Sequence, residues 1–82
     1  MKIALSPRAE KNFLTYPKSD RLKIGKKILL LEEHPFAGKV LSGEYAGYRS
    51  FRAWPYRIIY TIDQKKALIL VADILYRQRA YK

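Results

Sequence analysis

The hydrophobic pattern at the start of the chain predicts a strand followed by a helix. Residues 2–5 form a short, mostly apolar run typical of a strand. Ser6 and Pro7 then suit a helix start, because serine caps the first turn and proline lacks an N–H that would be unpaired there. Pro17 is expected to end this helix. Its buried face is predicted from apolar spacing to be Ala9, Phe13 and Tyr16.

A second helix is predicted to begin near Ser19 or Asp20, either of which can cap it, and to close at His34-Pro35. Gly25 lies inside this helix, where glycine is roughly 1 kcal/mol less favourable than alanine. We expect this glycine to permit close packing against a sheet. The apolar side of the helix is expected to be Leu22, Ile24, Ile28, Leu29 and Leu31.

The second half of the chain changes to the period of strands. Residues 35–47, with one proline and three glycines, are predicted to form a loop. Two strands, 48–53 and 56–62, then flank Trp54-Pro55, which indicates a hairpin. Residues 63–66 form a polar turn before the last strand.

The last strand is predicted over residues 67–75, and a basic tail, 76–82, follows it. Its almost continuous apolar character is typical of a strand at the sheet centre that is buried on both faces. The element order predicts an α+β fold, β-α-α-β-β-β, with a helical hairpin on one face of a mostly antiparallel four-stranded sheet. The length suits one domain, 1–82, and is too short for two.

Composition excludes several classes of site. The chain has no cysteine and one histidine, His34, so disulfides, thiolate metal sites and histidine metal cages are excluded. The loop glycines match neither a Walker nor a dinucleotide pattern, and we expect no metal and no cofactor.

The longest apolar runs are too short to span a bilayer, and the first residues lack a signal-peptide core. We therefore expect no membrane span and a cytoplasmic location.

Charge indicates an anionic partner. Seventeen Lys and Arg against seven Asp and Glu give a net charge of +10. A surface this basic attracts nucleic acid, an anionic membrane face or an acidic protein. A soluble protein that is merely basic is the alternative.

The arginines concentrate in the second half, at or near predicted strand ends. If Trp54-Pro55 is a two-residue turn, Arg52 lies directly opposite Arg57 on one face of the sheet. A three-residue loop would instead pair Arg52 with Tyr56. Facing like charges are destabilising unless an anion binds between them, which makes the pair a candidate site. The alternative is a solvated sheet edge that carries arginines for solubility.

Arg77 and Tyr81 can return to the same face as this pair. Converging guanidinium groups neutralise phosphate oxygens and stabilise the charge of a pentacovalent phosphorane, and a tyrosine or lysine can carry protons. Without metal ligands, such a site would use the 2′-hydroxyl of RNA as its nucleophile. Aromatic residues near the arginines can stack on unpaired bases or simply pack in the sheet: Tyr48, Trp54 and Tyr56.

Several segments carry a resemblance to the RelE/ParE toxin superfamily over almost the whole chain. These segments are Ser6-Pro7-Arg8-Ala9, Leu41-Ser42-Gly43, Tyr48-Arg49-Ser50-Phe51-Arg52, Tyr56-Arg57-Ile58-Ile59-Tyr60 and Ile74-Leu75-Tyr76-Arg77-Gln78-Arg79-Ala80-Tyr81. The resemblance implies a microbial RNase-type fold and a toxin of a type II toxin–antitoxin system. It also implies ribosome-dependent, metal-independent cleavage of messenger RNA, with a cognate, acidic antitoxin encoded next to the toxin.

Carried over to this sequence, the resemblance makes Arg57 the contact to the scissile phosphate. The other catalytic candidates are Arg52, Arg77 and Tyr81. The RNA-binding candidates are Tyr48, Arg49, Trp54, Tyr76 and Arg79.

The sequence departs from potent nucleases of the superfamily at two positions. Ser50 stands where these carry a basic residue, and Tyr76 stands where many carry histidine. Tyr76 can replace that histidine in part if it reaches the leaving oxygen. Members of the ParE branch inhibit DNA gyrase without nuclease activity, and this is the alternative function. A module that only binds its antitoxin is a third possibility.

Overall fold

The computed structural model describes residues 1–77 and contains two helices and a five-stranded sheet. The elements are β1 (Lys2–Leu5), α1 (Pro7–Thr15), α2 (Lys18–Glu33), β2 (Lys39–Val40), a short 3₁₀ turn (Gly43–Tyr45), β3 (Arg49–Ala53), β4 (Tyr56–Asp63) and β5 (Leu68–Tyr76). The sheet order is β1-β5-β4-β3-β2, with β1 parallel to β5 and the other pairs antiparallel. The predicted α+β class is confirmed, with one strand more than expected.

The first helix forms as its sequence predicts. The Ser6 hydroxyl accepts a hydrogen bond from the Ala9 N–H at 3.1 Å, and Pro7 occupies the first turn. The same hydroxyl donates to the Ala72 carbonyl at 2.7 Å, which ties the helix start to β5. Ala9 is fully buried, and Phe13 and Tyr16 pack against the core.

The second helix differs from its prediction at its start and on its apolar side. It begins at Lys18, and its capping residue is Pro17, whose side chain has no hydrogen-bonding group. Ser19 and Asp20 lie inside the first turn and do not cap it, and the Asp20 carboxylate accepts a hydrogen bond from the Tyr56 hydroxyl. Leu22 and Leu29 were expected to be buried, but they are 61% and 62% exposed. At about 100° per residue, both lie on the opposite side of the helix from Ile24, which is fully buried.

Gly25 does not mediate close packing, so that expectation was wrong. A Cβ added at this position would meet no atom within 4 Å.

Gly25→Ala should therefore raise the free energy of unfolding by about 1 kcal/mol, since alanine restricts the unfolded chain and favours the helix. Urea denaturation measures this change. The control is Gly47→Ala, where the space is also open but φ is +89°, so the same methyl group should destabilise. An equal gain from both substitutions would contradict the explanation.

The segment between α2 and β3 is more ordered than a loop. Lys39 and Val40 form the edge strand β2, which pairs with Ser50 and Arg49 of β3. The Tyr60 hydroxyl holds the preceding turn, because it accepts from the Gly38 N–H at 2.9 Å and donates to the Pro35 carbonyl at 2.8 Å. The prediction of a plain loop over 35–47 was wrong because contacts from β3 and β4 impose this strand.

The core lies between the helices and one face of the sheet. It consists of Ala9, Ile24, Leu31, Ala53, Tyr56, Ile58, Tyr60, Ile69, Val71 and Ile74. β5 was expected to be buried on both faces, but its fully buried residues, Ile69, Val71 and Ile74, all belong to the face that contacts the helices. On its other face, Leu70 and Leu75 remain partly exposed. No helix of residues 1–77 is long and apolar enough to cross a membrane.

Candidate functional site

The β3–β4 hairpin brings two arginines together. Its closing pair is Ala53 with Tyr56, and Arg52 lies directly opposite Arg57. Only Trp54 and Pro55, joined by a cis peptide bond, are left in the turn. The register therefore selects the two-residue alternative. Because side chains alternate along a strand, Arg52 and Arg57 lie on the face away from the helices, whereas Tyr56 and Ile58 face the core.

A groove of about 490 Å³ lies over this arginine pair. Its lining residues are Lys39, Val40, Leu41, Ser42, Tyr45, Arg52 and Arg57, and we call it the arginine groove. β2 and the 3₁₀ turn form one wall, and the β3–β4 hairpin forms the other. No carboxylate from residues 1–77 lines it. Three cationic side chains in one concave site attract a polyanion.

The hairpin turn adds an aromatic surface. Trp54 is 50% exposed, and the Arg52 guanidinium carbon lies 5.7 Å from the centre of its ring. The Arg77 guanidinium carbon lies 5.5 Å from the same ring, and the backbone N–H of Arg77 donates to the Pro55 carbonyl at 2.8 Å. Trp54 thus links Arg52 and Arg77 through cation–π contacts, which places Arg77 at the same end of the sheet as the pair.

The other predicted site residues have different surroundings. Arg49 donates to the carbonyls of Phe36 and Gly38 at 3.2 and 3.0 Å, so its guanidinium supports the turn before β2. Tyr48 is half-buried and lines a smaller cleft of about 270 Å³ that shares Tyr45 with the arginine groove. Arg79 and Tyr81 lie outside the described residues.

Tyr76 lies on the face of the sheet that contacts the helices. It pairs with Tyr56 across β4 and β5, and the two rings meet edge to face with centres 5.5 Å apart. Its aromatic ring therefore packs with the core cluster. Arg77 contacts it from outside, at 6.0 Å from the ring centre.

Lys39 and Tyr45 line the groove but were not among the site residues predicted from the sequence. Both depend on the path of the chain between α2 and β3, which hydrophobic periodicity does not predict. Their position three residues or fewer from the Leu41-Ser42-Gly43 motif is the only sequence signal that could have suggested them. Ser50, on the groove side of β3, is buried, and its hydroxyl has no hydrogen-bond partner among the described residues.

Tyr56 anchors the hairpin to α2. Its ring lies 4.5 Å from that of Tyr16, and its hydroxyl donates to the Asp20 carboxylate at 2.6 Å. Burial raises the pKa of the Tyr56 phenol well above its usual value, and the hydrogen bond to Asp20 raises it further. This phenol therefore stays protonated at neutral pH and serves as a structural donor.

The raised pKa of Tyr56 predicts a loss of stability in strong alkali. The folded state holds this proton more tightly than the unfolded state, so the stabilisation is complete below about pH 10 and is lost as pH rises above it. The unfolding free energy of Tyr56→Phe should fall less steeply above pH 10 than that of the wild type. Denaturation at a series of pH values measures this, with Tyr45→Phe, at an exposed tyrosine, as control. Identical slopes for wild type and Tyr56→Phe would contradict the assignment.

Comparison with known proteins identifies the family. The sequence model of the family described as the ParE toxin of the type II toxin–antitoxin system, parDE, matches residues 3–81. No curated protein sequence matches the chain significantly. Within residues 1–77, no group of three His, Asp or Glu side chains is placed to hold a metal ion.

Solved structures share the fold. The toxin–antitoxin complex RelBE2 from Mycobacterium tuberculosis superposes with a TM-score of 0.86 at 23% identity, covering 93% of this chain and 96% of that one. The YoeB/ParE toxin from Agrobacterium tumefaciens gives 0.81 at 23% identity, covering 93% and 98%. The isolated E. coli RelE toxin gives 0.80 at 19% identity, covering 96% and 86%. With the family match over nearly the whole sequence, the chain belongs to the ParE toxin family of type II toxin–antitoxin systems, within the RelE/ParE superfamily.

Proposed function

We propose that this toxin is a ribosome-dependent, metal-independent endoribonuclease that cleaves messenger RNA. The observation that carries the proposal is the pairing of Arg52 with Arg57 in a groove that no carboxylate from residues 1–77 lines. Directly opposed like charges are destabilising by a few tenths of a kcal/mol to about 1 kcal/mol. A bound phosphate relieves that repulsion and accepts hydrogen bonds from both guanidinium groups.

The proposed reaction is internal attack by RNA on its own backbone. The 2′-oxygen forms a bond to the adjacent phosphorus as its proton leaves, and the bond from phosphorus to the 5′-oxygen breaks as that oxygen gains a proton. Negative charge grows on the phosphoryl oxygens in the transition state. Arg52 and Arg57, already positioned by the hairpin, stabilise that charge more than the charge of the substrate. DNA lacks the 2′-hydroxyl and is not a substrate.

The candidate proton carriers of this site are tyrosines. Tyr81 is a catalytic candidate from the resemblance, and among residues 1–77 Tyr45 is the tyrosine that lines the arginine groove. Tyr76 packs with Tyr56 on the helix face and is a poor candidate for this role. We propose that this small set of proton carriers is the reason why cleavage depends on the ribosome. The ribosome can align the 2′-oxygen, the phosphorus and the 5′-oxygen of the message that the toxin binds.

Trp54 and Arg77 extend the proposed RNA contact beyond the phosphate. A half-exposed indole beside two guanidinium groups suits an unpaired base, since stacking on an aromatic ring tolerates any base. Tyr48, Arg49, Tyr76 and Arg79 stay predictions as RNA contacts. We place the action of the toxin in the cytoplasm, where ribosomes and messages are.

The proposed protein partner is a cognate, acidic antitoxin encoded next to the toxin. Solved relatives include the archaeal RelE–RelB complex from Pyrococcus horikoshii and the E. coli RelBE toxin–antitoxin complex. In this chain the net charge of +10 favours an acidic partner, and Leu22 and Leu29 offer exposed apolar side chains on α2. Such an antitoxin would neutralise the toxin by covering the arginine groove.

Gyrase inhibition is the second candidate function. It is favoured by the neutral Ser50 beside the groove and by the position of Tyr76 on the helix face. Both features reduce the number of side chains that could donate or accept protons at the site. A reconstituted translation reaction with a defined message, run beside a supercoiling assay with purified gyrase, separates the two. The nuclease proposal expects a cut message and unchanged supercoiling. An intact message with blocked supercoiling would replace it by the gyrase alternative.

A further inference from the structure

Lys39 lies at the edge of the sheet and lines the arginine groove. It is the first residue of the two-residue edge strand β2, and it lies directly opposite Ser50 of β3. Directly opposed residues of an antiparallel pair project to the same face, so Lys39 shares the face of Ser50 and Arg52. It lines the arginine groove and also an adjoining cavity of about 300 Å³, and Arg52 and Arg57 line both as well.

The spacing brings the three cations within reach of one stretch of backbone phosphates. Arg52 follows Ser50 by two residues, which makes it the diagonal neighbour of Lys39 across the β2–β3 pair. Diagonal neighbours lie about 7–8 Å apart, a separation that long side chains can bridge. Arg57 lies directly opposite Arg52 on the next strand. Lys39, Arg52 and Arg57 thus form a triangle across three adjacent strands.

Ser50 is a neutral residue directly opposite Lys39 on the groove face of the sheet. Its side chain is only 6% exposed, carries no charge, and has no hydrogen-bond partner for its hydroxyl among the described residues. β3 therefore supplies one cation to the groove, Arg52, and leaves a neutral position beside it. The short edge strand places an ammonium group next to that neutral position. A lysine on an edge strand also discourages pairing with other chains, but that use does not require it to line the groove.

We propose that Lys39 is the third phosphate-binding cation of the arginine groove. Its ligand is a phosphodiester of single-stranded RNA, next to the phosphate held by Arg52 and Arg57, and the inference rests on the proposed nuclease function for that substrate. A compact ammonium group with three donors suits a non-bridging phosphate oxygen without demanding one orientation. β2 then has a functional role, because it carries this cation to the site.

The test measures affinity for a probe that the toxin cannot cut. A fluorescent single-stranded 2′-O-methyl RNA oligomer lacks the free 2′-hydroxyl, and anisotropy titrations over a salt series report its binding to the full chain. Lys39→Ala should weaken binding about tenfold and lower the slope of log K against log salt by about 0.7. Lys39→Arg should restore both quantities to near the wild-type values.

Lys65→Ala is the matched control. It removes the same charge from the polar turn between β4 and β5, away from the arginine groove, and should change affinity less than about twofold. Lys39 is exposed, so the melting temperature of Lys39→Ala should equal that of the wild type. Equal losses for Lys39→Ala and Lys65→Ala would overturn the inference, as would a wild type without measurable affinity.

Cleavage assays keep this result separate from the proposed function. If Lys39→Ala binds tenfold more weakly but the wild type leaves messages intact, the phosphate site stands and the nuclease proposal fails. If cleavage requires Arg57 while Lys39→Ala binds like Lys65→Ala, the nuclease proposal stands and the role of Lys39 fails.

Discussion

Arg57→Ala should cleave messenger RNA roughly 30- to 1,000-fold more slowly than the wild type. This corresponds to about 2–4 kcal/mol of lost transition-state stabilisation, the usual effect of removing one preorganised donor from a developing oxyanion. Arg57 lines the groove directly opposite Arg52, so the same substitution also relieves like-charge repulsion in the sheet.

Single-turnover cleavage of a ribosome-bound message measures this effect. Arg57→Lys should recover only part of the rate, because an ammonium group cannot form the paired hydrogen bonds of a guanidinium. Arg21→Ala on α2 is the control, since it removes an arginine from the helical side of the sheet. An Arg57→Ala rate within threefold of the wild type would show that this arginine does not act on the phosphate.

Tyr60→Phe should lower the free energy of unfolding by about 2–3 kcal/mol. The ring of Tyr60 is fully buried, and phenylalanine keeps its packing. The lost hydroxyl, however, serves both the Gly38 N–H and the Pro35 carbonyl. Leaving two such groups unpaired at a buried turn accounts for the expected loss, at about 1–3 kcal/mol for each fully buried group.

Urea denaturation gives the change in stability, and amide hydrogen exchange shows where the loss occurs. Because this turn leads directly into β2, the amides of residues 38–40 should exchange faster in Tyr60→Phe than in the wild type. Tyr45→Phe is the control, since its phenol is exposed. A stability within about 0.5 kcal/mol of the wild type would show that the hydroxyl does not hold the turn.

The sequence predicted the hairpin, and it gave the arginine pair as the outcome of one of two possible turn lengths. A two-residue turn leaves one possible register, and that register places Arg52 opposite Arg57. The strand β2 could not be predicted in this way. Two residues show no periodicity, and the groups that hold the turn before this strand, Arg49 and Tyr60, come from later strands. Lys39 was missed for the same reason.

Two other differences between the predicted and the observed structure have physical causes, one in α2 and one in β5. Leu22 and Leu29 are apolar but lie on the outer side of α2, so counting apolar residues without their angular positions misplaced them. Alternation along β5 puts Tyr76 on the same face as Ile74, and Ile74 is in the core. That alternation would have placed Tyr76 away from the groove. Arg79 and Tyr81 lie outside the described residues and stay predictions.

The chemical ends of the RNA fragments test the central claim most directly. Attack by the 2′-oxygen leaves a 2′,3′-cyclic phosphate on the upstream fragment and a 5′-hydroxyl on the downstream fragment. We predict these ends when a defined message is translated with the wild-type toxin, and we predict that Arg52→Ala and Arg57→Ala greatly reduce their yield. Fragments with 3′-hydroxyl and 5′-phosphate ends, or a message that remains intact, would contradict the account.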